Sequence, residues 1–341
     1  MGLIIHAPNV HQGGGQTLLN ALLACADQST CCVVDERMPT NKIDPGVVIC
    51  SIKPTLIDRF KAEVLLAKNA KFGDTVLCFG NLPPLIKSPA SVKVFLQNRY
   101  LFGKHDFSSF SIPTRLRLQL ERWWFRTRMQ SHYTIIVQSQ TMQRELKKSL
   151  GFESIVLPFS AAGTDQPDSG NHDIPETKEF DFVYVSSAEP HKNHAALLDT
   201  WAILADQGVR PNLALTVSES SPVAQLIERS KNTHGLKITN FGTLQHGDVQ
   251  ALYANSKALI FPSKLESFGL PLLEAQQLGM PILAPELDYV RDVVEPNETF
   301  NADSPTSMAR AVMRHMNIES AKIQPICAAE FLRQIQKQGE A

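Results

Sequence analysis

Two acids bracket one turn in the second half of the chain, in the run Phe261-Pro262-Ser263-Lys264-Leu265-Glu266-Ser267-Phe268-Gly269-Leu270-Pro271-Leu272-Leu273-Glu274-Ala275. Glu266 sits in a polar loop and Glu274 on the helix that this loop opens. A carboxylate accepts hydrogen bonds strongly from sugar hydroxyls. The helix start between the two acids offers unpaired N–H groups and the positive end of the dipole, which suit an anion. Gly269 lets the backbone approach a ligand, and Pro271 fits the first turn, where its missing N–H is not needed. Phosphate on the amides and hydroxyls on the flanking acids is the recognition pattern of a nucleotide-sugar. The bland alternative is a helix start with two solvated acids. The turn follows Lys257-Ala258-Leu259-Ile260-Phe261, which reads as a buried parallel strand. A strand end that opens a helix is where open α/β sheets bind ligands.

Two further stretches have the same form. Gly2 to Ala7 reads as a strand, Gln12-Gly13-Gly14-Gly15-Gln16 as a glycine turn, and Thr17 to Asp27 as a helix. This lets a phosphate approach, although it matches neither dinucleotide nor P-loop spacing. Phe180 to Ser187 reads as a strand, followed by Glu189-Pro190-His191-Lys192-Asn193 and a helix from His194 to Asp206. Lys192, placed after a strand end, can reach a diphosphate as a point charge; an ordinary exposed lysine is the alternative.

The segment from Glu266 to Glu274 resembles the Glu-x7-Glu signature of the retaining, nucleotide-sugar-dependent glycosyltransferases of family 4 (glycosyl transferases group 1). The resemblance extends through Phe241-Gly242-Thr243, Leu252-Tyr253 and Gly279-Met280-Pro281, and covers most of residues 180–295. It implies the GT-B fold, in which two Rossmann-like doubly wound parallel sheets face each other across a cleft. It implies that the Gly269 and Leu270 amides, in the loop with Ser267 and Phe268, hold the donor diphosphate together with Lys192. Glu274 would hold the ribose, Glu266 the donor sugar, Gly242 and Thr243 the nucleobase edge, and Gly14 and Gly15 the cleft near donor phosphates and acceptor. Glu266 and Lys192 are the residues assigned to catalysis. The family's basic pair is half missing, because Ser187 stands where its arginine is expected. Gln97-Asn98 stands near the place of its first-domain histidine.

The implied reaction moves a sugar from a UDP- or GDP-linked donor, with retention, to a lipid-linked or cell-surface glycan in polysaccharide or lipopolysaccharide assembly. A polyprenyl-linked glycan is one such acceptor. No cofactor or metal is expected, since no DxD-type cluster stands at a strand end; nucleic acid is not an expected partner. The rival readings are a GT-B sugar-nucleotide epimerase, a phosphorylase, and a non-catalytic sugar- or lipid-binding protein on the same scaffold.

The rest of the chain must position these loops. Its 341 residues suit two domains, and 43% hydrophobic with 20% charged residues suits soluble globular cores. The expected division is 1–160 as an acceptor-side domain, 161–178 as a linker, 179–318 as the nucleotide-sugar domain, and 319–341 as a terminal helix that crosses back, centred on Ala321 to Gln336. Strands at Cys31–Asp35, Val47–Ser51, Thr75–Phe79, Val92–Leu96 and Thr134–Val137 alternate with helices, which predicts a parallel sheet.

Six cysteines without a CxxC pair read as thiols in a reducing compartment. With no signal peptide or spanning segment, the expected location is cytoplasmic, with the inner face of a membrane as the further option. Residues 1–160 hold 19 Lys/Arg against 11 Asp/Glu, a balance of +8, and the remainder 14 against 23, a balance of −9. A basic first half suits an anionic partner. Residues 112–130 mix five arginines with Trp123, Trp124 and Phe125, which reads either as a peripheral membrane contact or as core packing with solvated arginines.

Overall fold

The computed structural model describes residues 2–26, 29–38, 47–103, 105, 107, 110–159 and 178–318. The first lobe runs β1 (Leu3–Ala7), α1 (Gly13–Ala24), β2 (Thr30–Asp35), β3 (Val48–Ile52), α2 (Leu56–Asn69), β4 (Thr75–Cys78), β5 (Ser91–Phe95), α3 (Ile112–Arg128), β6 (Thr134–Val137), α4 (Gln140–Leu150) and β7 (Ile155–Val156). The second runs β8 (Phe180–Tyr184), α5 (His194–Asp206), β9 (Leu213–Leu215), α6 (Pro222–His234), β10 (Ile238–Asn240), α7 (His246–Ala254), β11 (Ser256–Ile260), α8 (Leu270–Gln277), β12 (Ile282–Pro285), α9 (Asp288–Arg291), β13 (Glu298–Phe300) and α10 (Pro305–His315).

Both sheets are parallel throughout, in the orders β3-β2-β1-β4-β5-β6-β7 and β10-β9-β8-β11-β12-β13. The central strands β1 and β11 carry the apolar runs Ile4–Ile5 and Ala258–Ile260, buried on both faces, as a parallel sheet covered by helices demands. Strand order reverses between β1 and β4 in one sheet and between β8 and β11 in the other. A crevice opens beyond the strand ends at such a point.

The expected strands are present, most with ends shifted by a residue, and the one expected over Phe180–Ser187 ends at Tyr184. One expectation changes: Gly13–Gly15 form the first turn of α1 and are not a turn before it. Gly13 takes φ +65°, so the chain bends directly from loop into helix there. The linker expected over 161–178 lies outside the described residues apart from Lys178, and the terminal helix expected over 319–341 lies wholly outside them.

The turn that carries Lys192 is fixed from behind. Asn193 is buried at φ +63°, and its Nδ2 donates to the carbonyls of Pro262 (3.2 Å) and Ala302 (2.8 Å). This ties the loop after β8 to the loops after β11 and β13. Asn193→Ala leaves two buried carbonyls without a donor and puts an alanine in the left-handed region, at a cost of about 3 kcal/mol. Calorimetry is expected to show the melting temperature falling by roughly 6–12 °C; an unchanged value would show that this side chain ties nothing.

Candidate functional site

The loops after both reversal points line one cleft of about 390 Å³ between the lobes. The first lobe contributes Asn9–Gln12 and Gly15 after β1, Asn81 after β4, and Gln97–Tyr100 after β5; the start of α3 adds Thr114 and Arg117. The second contributes Glu189 and His191 after β8 and Leu265–Ser267 after β11. Hydrogen bonds join the lobes around it. Arg99 Nη1 donates to the Glu266 carbonyl (2.8 Å), Ser139 Oγ to the Ser267 carbonyl (3.2 Å), and the Thr141 N–H to Asp292 (2.7 Å).

At the seam Lys192 Nζ meets Glu266 Oε1 at 2.7 Å, with the two side chains only 16% and 11% exposed. The loops that carry them are stitched together: Lys264 N–H and Ser263 Oγ both donate to the His191 carbonyl, at 2.8 and 3.2 Å. Tyr289 Oη donates to the Ser263 carbonyl at 2.6 Å. Gly269, at φ +84°, turns the chain into α8, with Pro271 in the first turn. A Cβ on Gly269 would come within 3.0 Å of Leu272 Cδ1, so glycine suits both the conformation and the space. Leu270 then stands at the start of α8, four residues after Glu266, and packs against the core of the opposite lobe. A Cβ on Gly14 would lie 3.1 Å from Leu270 Cδ1, and one on Gly15 3.6 Å from Gln97 Oε1.

The predicted residues do not all meet. Glu266, Ser267 and Gly15 line the cleft, and Lys192 reaches it through Glu266. Phe268 is buried beneath the loop. Glu274 lies outside the lining, on α8, where Tyr253 Oη donates to its Oε2 at 3.0 Å. Burial raises the Glu274 carboxyl above its ordinary range, opposed by the Tyr253 hydroxyl and by nearby His246. Gly242 (φ +70°) and exposed Thr243 stand after β10, on the same carboxyl edge of the sheet but away from the cleft lining. Ser187 is exposed and hydrogen-bonds the Glu189 carboxylate, so no cation stands at that position. Among the described residues no group of three or more His, Cys, Asp or Glu side chains is placed to hold a metal ion.

Three cleft residues carry roles that the sequence pattern did not assign. Arg99 is buried and forks onto the Glu145 carboxylate while it holds the Glu266 carbonyl. His191 stacks edge-on against Tyr100 of the other lobe, with centroids 5.7 Å apart, and its buried Nδ1 has no hydrogen-bond partner among the described residues. Burial, then Lys192, keeps this imidazole below its usual pKa and therefore neutral. Burial, then the Glu266 and Glu189 charges, pushes the Tyr100 hydroxyl up to about 12. The only signal for them was position just past strand ends.

Residues 167–330 match the model of the family described as Glycosyl transferases group 1. Among curated proteins, the chain is 31% identical over 134 residues to the serotype-specific mannosyltransferase WbdA of Escherichia coli, covering 38% of this chain and 16% of that protein. It is 25% identical over 207 residues to the O-antigen chain mannosyltransferase B of Escherichia coli, covering 56% and 54%. The matches thus span at most about half the length of these relatives. Among solved structures, HepE of Anabaena in complex with UDP and glucose superposes with TM-score 0.69 over 93% of this chain and 90% of that one, at 14% identity. WaaG, a glycosyltransferase involved in lipopolysaccharide biosynthesis, superposes with TM-score 0.68 over 92% and 90%, at 13% identity. The fold is GT-B, as expected.

The Glu274 shift has a consequence for stability. A carboxyl whose folded pKa is raised adds stability below its unfolded pKa and loses it as pH rises through the folded value. Near pH 7 burial of Glu274 therefore opposes folding relative to acidic pH. Glu274→Gln is expected to melt higher than wild type at pH 7, with the gap closing below the ordinary carboxylate range. Parallel thermal melts check this; a lower melting temperature for the variant at pH 7 would contradict it.

Proposed function

We propose that this chain, which carries a glycosyl transferases group 1 region, is a retaining glycosyltransferase that uses a UDP- or GDP-linked sugar and no metal. The observation that carries the reading is the Lys192–Glu266 pair, buried at the cleft, with Glu266 on the loop that opens α8. A diphosphate entering there would bring negative charge to the Lys192 ammonium and to the Leu270 N–H. Glu266 would be released from the lysine to accept sugar hydroxyls. Glu274 would accept from the ribose hydroxyls. Ser187 brings no charge, so most of the leaving-group stabilisation falls on Lys192 and the helix amide, which act where charge develops.

In the proposed step the acceptor hydroxyl oxygen attacks the anomeric carbon on the face the diphosphate leaves. The carbon–oxygen bond to phosphate breaks as the new glycosidic bond forms. The departing phosphate oxygen takes the hydroxyl proton. The acceptor stands on the first-lobe wall, where the side-chain amides of Asn9, Asn81, Gln97 and Asn98 suit a polyhydroxylated glycan. The relatives named as O-antigen and serotype-specific mannosyltransferases support a mannosyl donor and a lipid-linked or cell-surface glycan acceptor, and we place the reaction on the cytoplasmic side.

A panel of UDP-, GDP- and ADP-linked sugars tests this. Slow release of free sugar from one donor is expected. Lys192→Ala is expected to lower kcat by roughly 10²–10³ for that donor. Glu274→Gln is expected to weaken binding of the matching nucleoside diphosphate by about tenfold or more. Nucleotide binding with no turnover of any donor, with or without added glycan, would favour a binding protein on the same scaffold.

A further inference from the structure

The loop that carries Glu266 is tied to both lobes, and the two sets of ties fall on opposite sides of the acid. Upstream the ties are to its own lobe: Tyr289 Oη donates to the Ser263 carbonyl at 2.6 Å, and the Lys264 N–H to the His191 carbonyl at 2.8 Å. From the acid onwards they cross the cleft. Arg99 Nη1 donates to the carbonyl of Glu266 itself at 2.8 Å, and Ser139 Oγ to the next carbonyl, that of Ser267, at 3.2 Å. Leu270 then packs on the first-lobe core. Because the peptide unit is planar, a fixed carbonyl oxygen leaves Glu266 little freedom to turn about its own Cα. The direction of its side chain is therefore set in part from the other lobe.

Arg99 is itself held for this task. Its Nε donates to Glu145 Oε2 at 3.1 Å and its Nη2 to Glu145 Oε1, which leaves Nη1 for the Glu266 carbonyl. A planar guanidinium presents donors in both directions at once, whereas an ammonium is a point charge. The backbone under Arg99 is braced as well. Asn81, at φ +70°, accepts the N–H groups of Gln97 and Asn98 on one side-chain oxygen, at 2.5 and 2.8 Å, and the Arg99 carbonyl accepts from His105 Nε2 at 2.9 Å. Glu145 stands on α4, outside the cleft lining, and its side chain is 37% exposed. Arg99 lines the cleft, yet its side chain is only 8% exposed and all three of its guanidinium nitrogens are engaged by protein oxygens. It serves the site through Glu266 and not by its own grip on a ligand.

We propose that Arg99, oriented by Glu145, is a positioning residue for Glu266, fixing the carboxylate at the point where Lys192 Nζ meets it. The acid of the second lobe is then correctly aimed only while the first lobe holds its carbonyl. That the aim matters for orienting a donor sugar rests on the sugar-transfer reading; the placement of Glu266 by Arg99 does not.

Donor turnover, nucleoside diphosphate affinity and a crystal structure of one variant test the proposal. Arg99→Lys keeps the charge but cannot span both partners, and Glu145→Gln weakens the fork from outside the cleft. Each is expected to lower kcat about tenfold or more, at a temperature where circular dichroism shows wild-type structure. Affinity for the nucleoside diphosphate is expected to change less than about twofold. In a Glu266→Ala background the same two changes are expected to cost little more, because they act through that acid; a merely structural role would cost the same with and without it. The crystal structure of Arg99→Lys is expected to show the Glu266 carboxylate withdrawn from Lys192 Nζ. Four outcomes would overturn the proposal: a smaller fall in kcat for either variant, nucleotide affinity that falls along with kcat, an equal fall in the Glu266→Ala background, or a Glu266 that keeps its place in the crystal. A wild-type chain that turns over no donor would instead be a failure of the sugar-transfer reading, and the position of Glu266 in the variant crystal would then decide the proposal by itself.

Discussion

The structure turns on one ion pair between loops that the chain keeps about seventy residues apart. Lys192 and Glu266 meet at 2.7 Å where two sheets present their reversal points to each other. Charges this poorly hydrated are costly when alone, so each needs its partner until something replaces it. A diphosphate can replace the acid at the lysine, and sugar hydroxyls can replace the lysine at the acid. In the proposed reading a nucleotide-sugar takes over the pair group by group.

Much of the surrounding structure keeps that pair in place. Asn193 fixes the lysine loop from behind, Tyr289 and Ser263 fix the acid loop, and the His191 carbonyl ties the two loops together. Arg99 reaches from the first lobe to the Glu266 carbonyl, so the position of the acid depends on how the lobes sit. His191 and Tyr100 meet edge-on across the same seam. A shift of the Glu266 backbone would therefore also disturb a contact between the lobes.

Parallel strands were legible because β8 and β11 carry the buried apolar runs Phe182–Tyr184 and Ala258–Ile260, and β1 is buried from Ile4 to Ala7. The loops that carry Glu266 and Lys192 were legible because each follows such a run and opens a helix. The glycines before α1 misled: without Cβ atoms they read as a turn, yet the helix already begins at Gly13. Arg99, His191 and Tyr100 could be placed past strand ends but not assigned. Their roles come from the approach of two lobes far apart in sequence, which no local pattern records. The division of residues 112–130 into inward Trp124 and outward Trp123 likewise needed the sheet against which α3 packs.

A crystal structure of the chain with a bound nucleoside diphosphate tests the central claim most directly. The ion-pair exchange predicts the diphosphate within hydrogen-bond distance of Lys192 Nζ and the Leu270 N–H, with the lysine no longer on Glu266. A nucleotide bound elsewhere, with the Lys192–Glu266 contact intact at its present 2.7 Å, would contradict it.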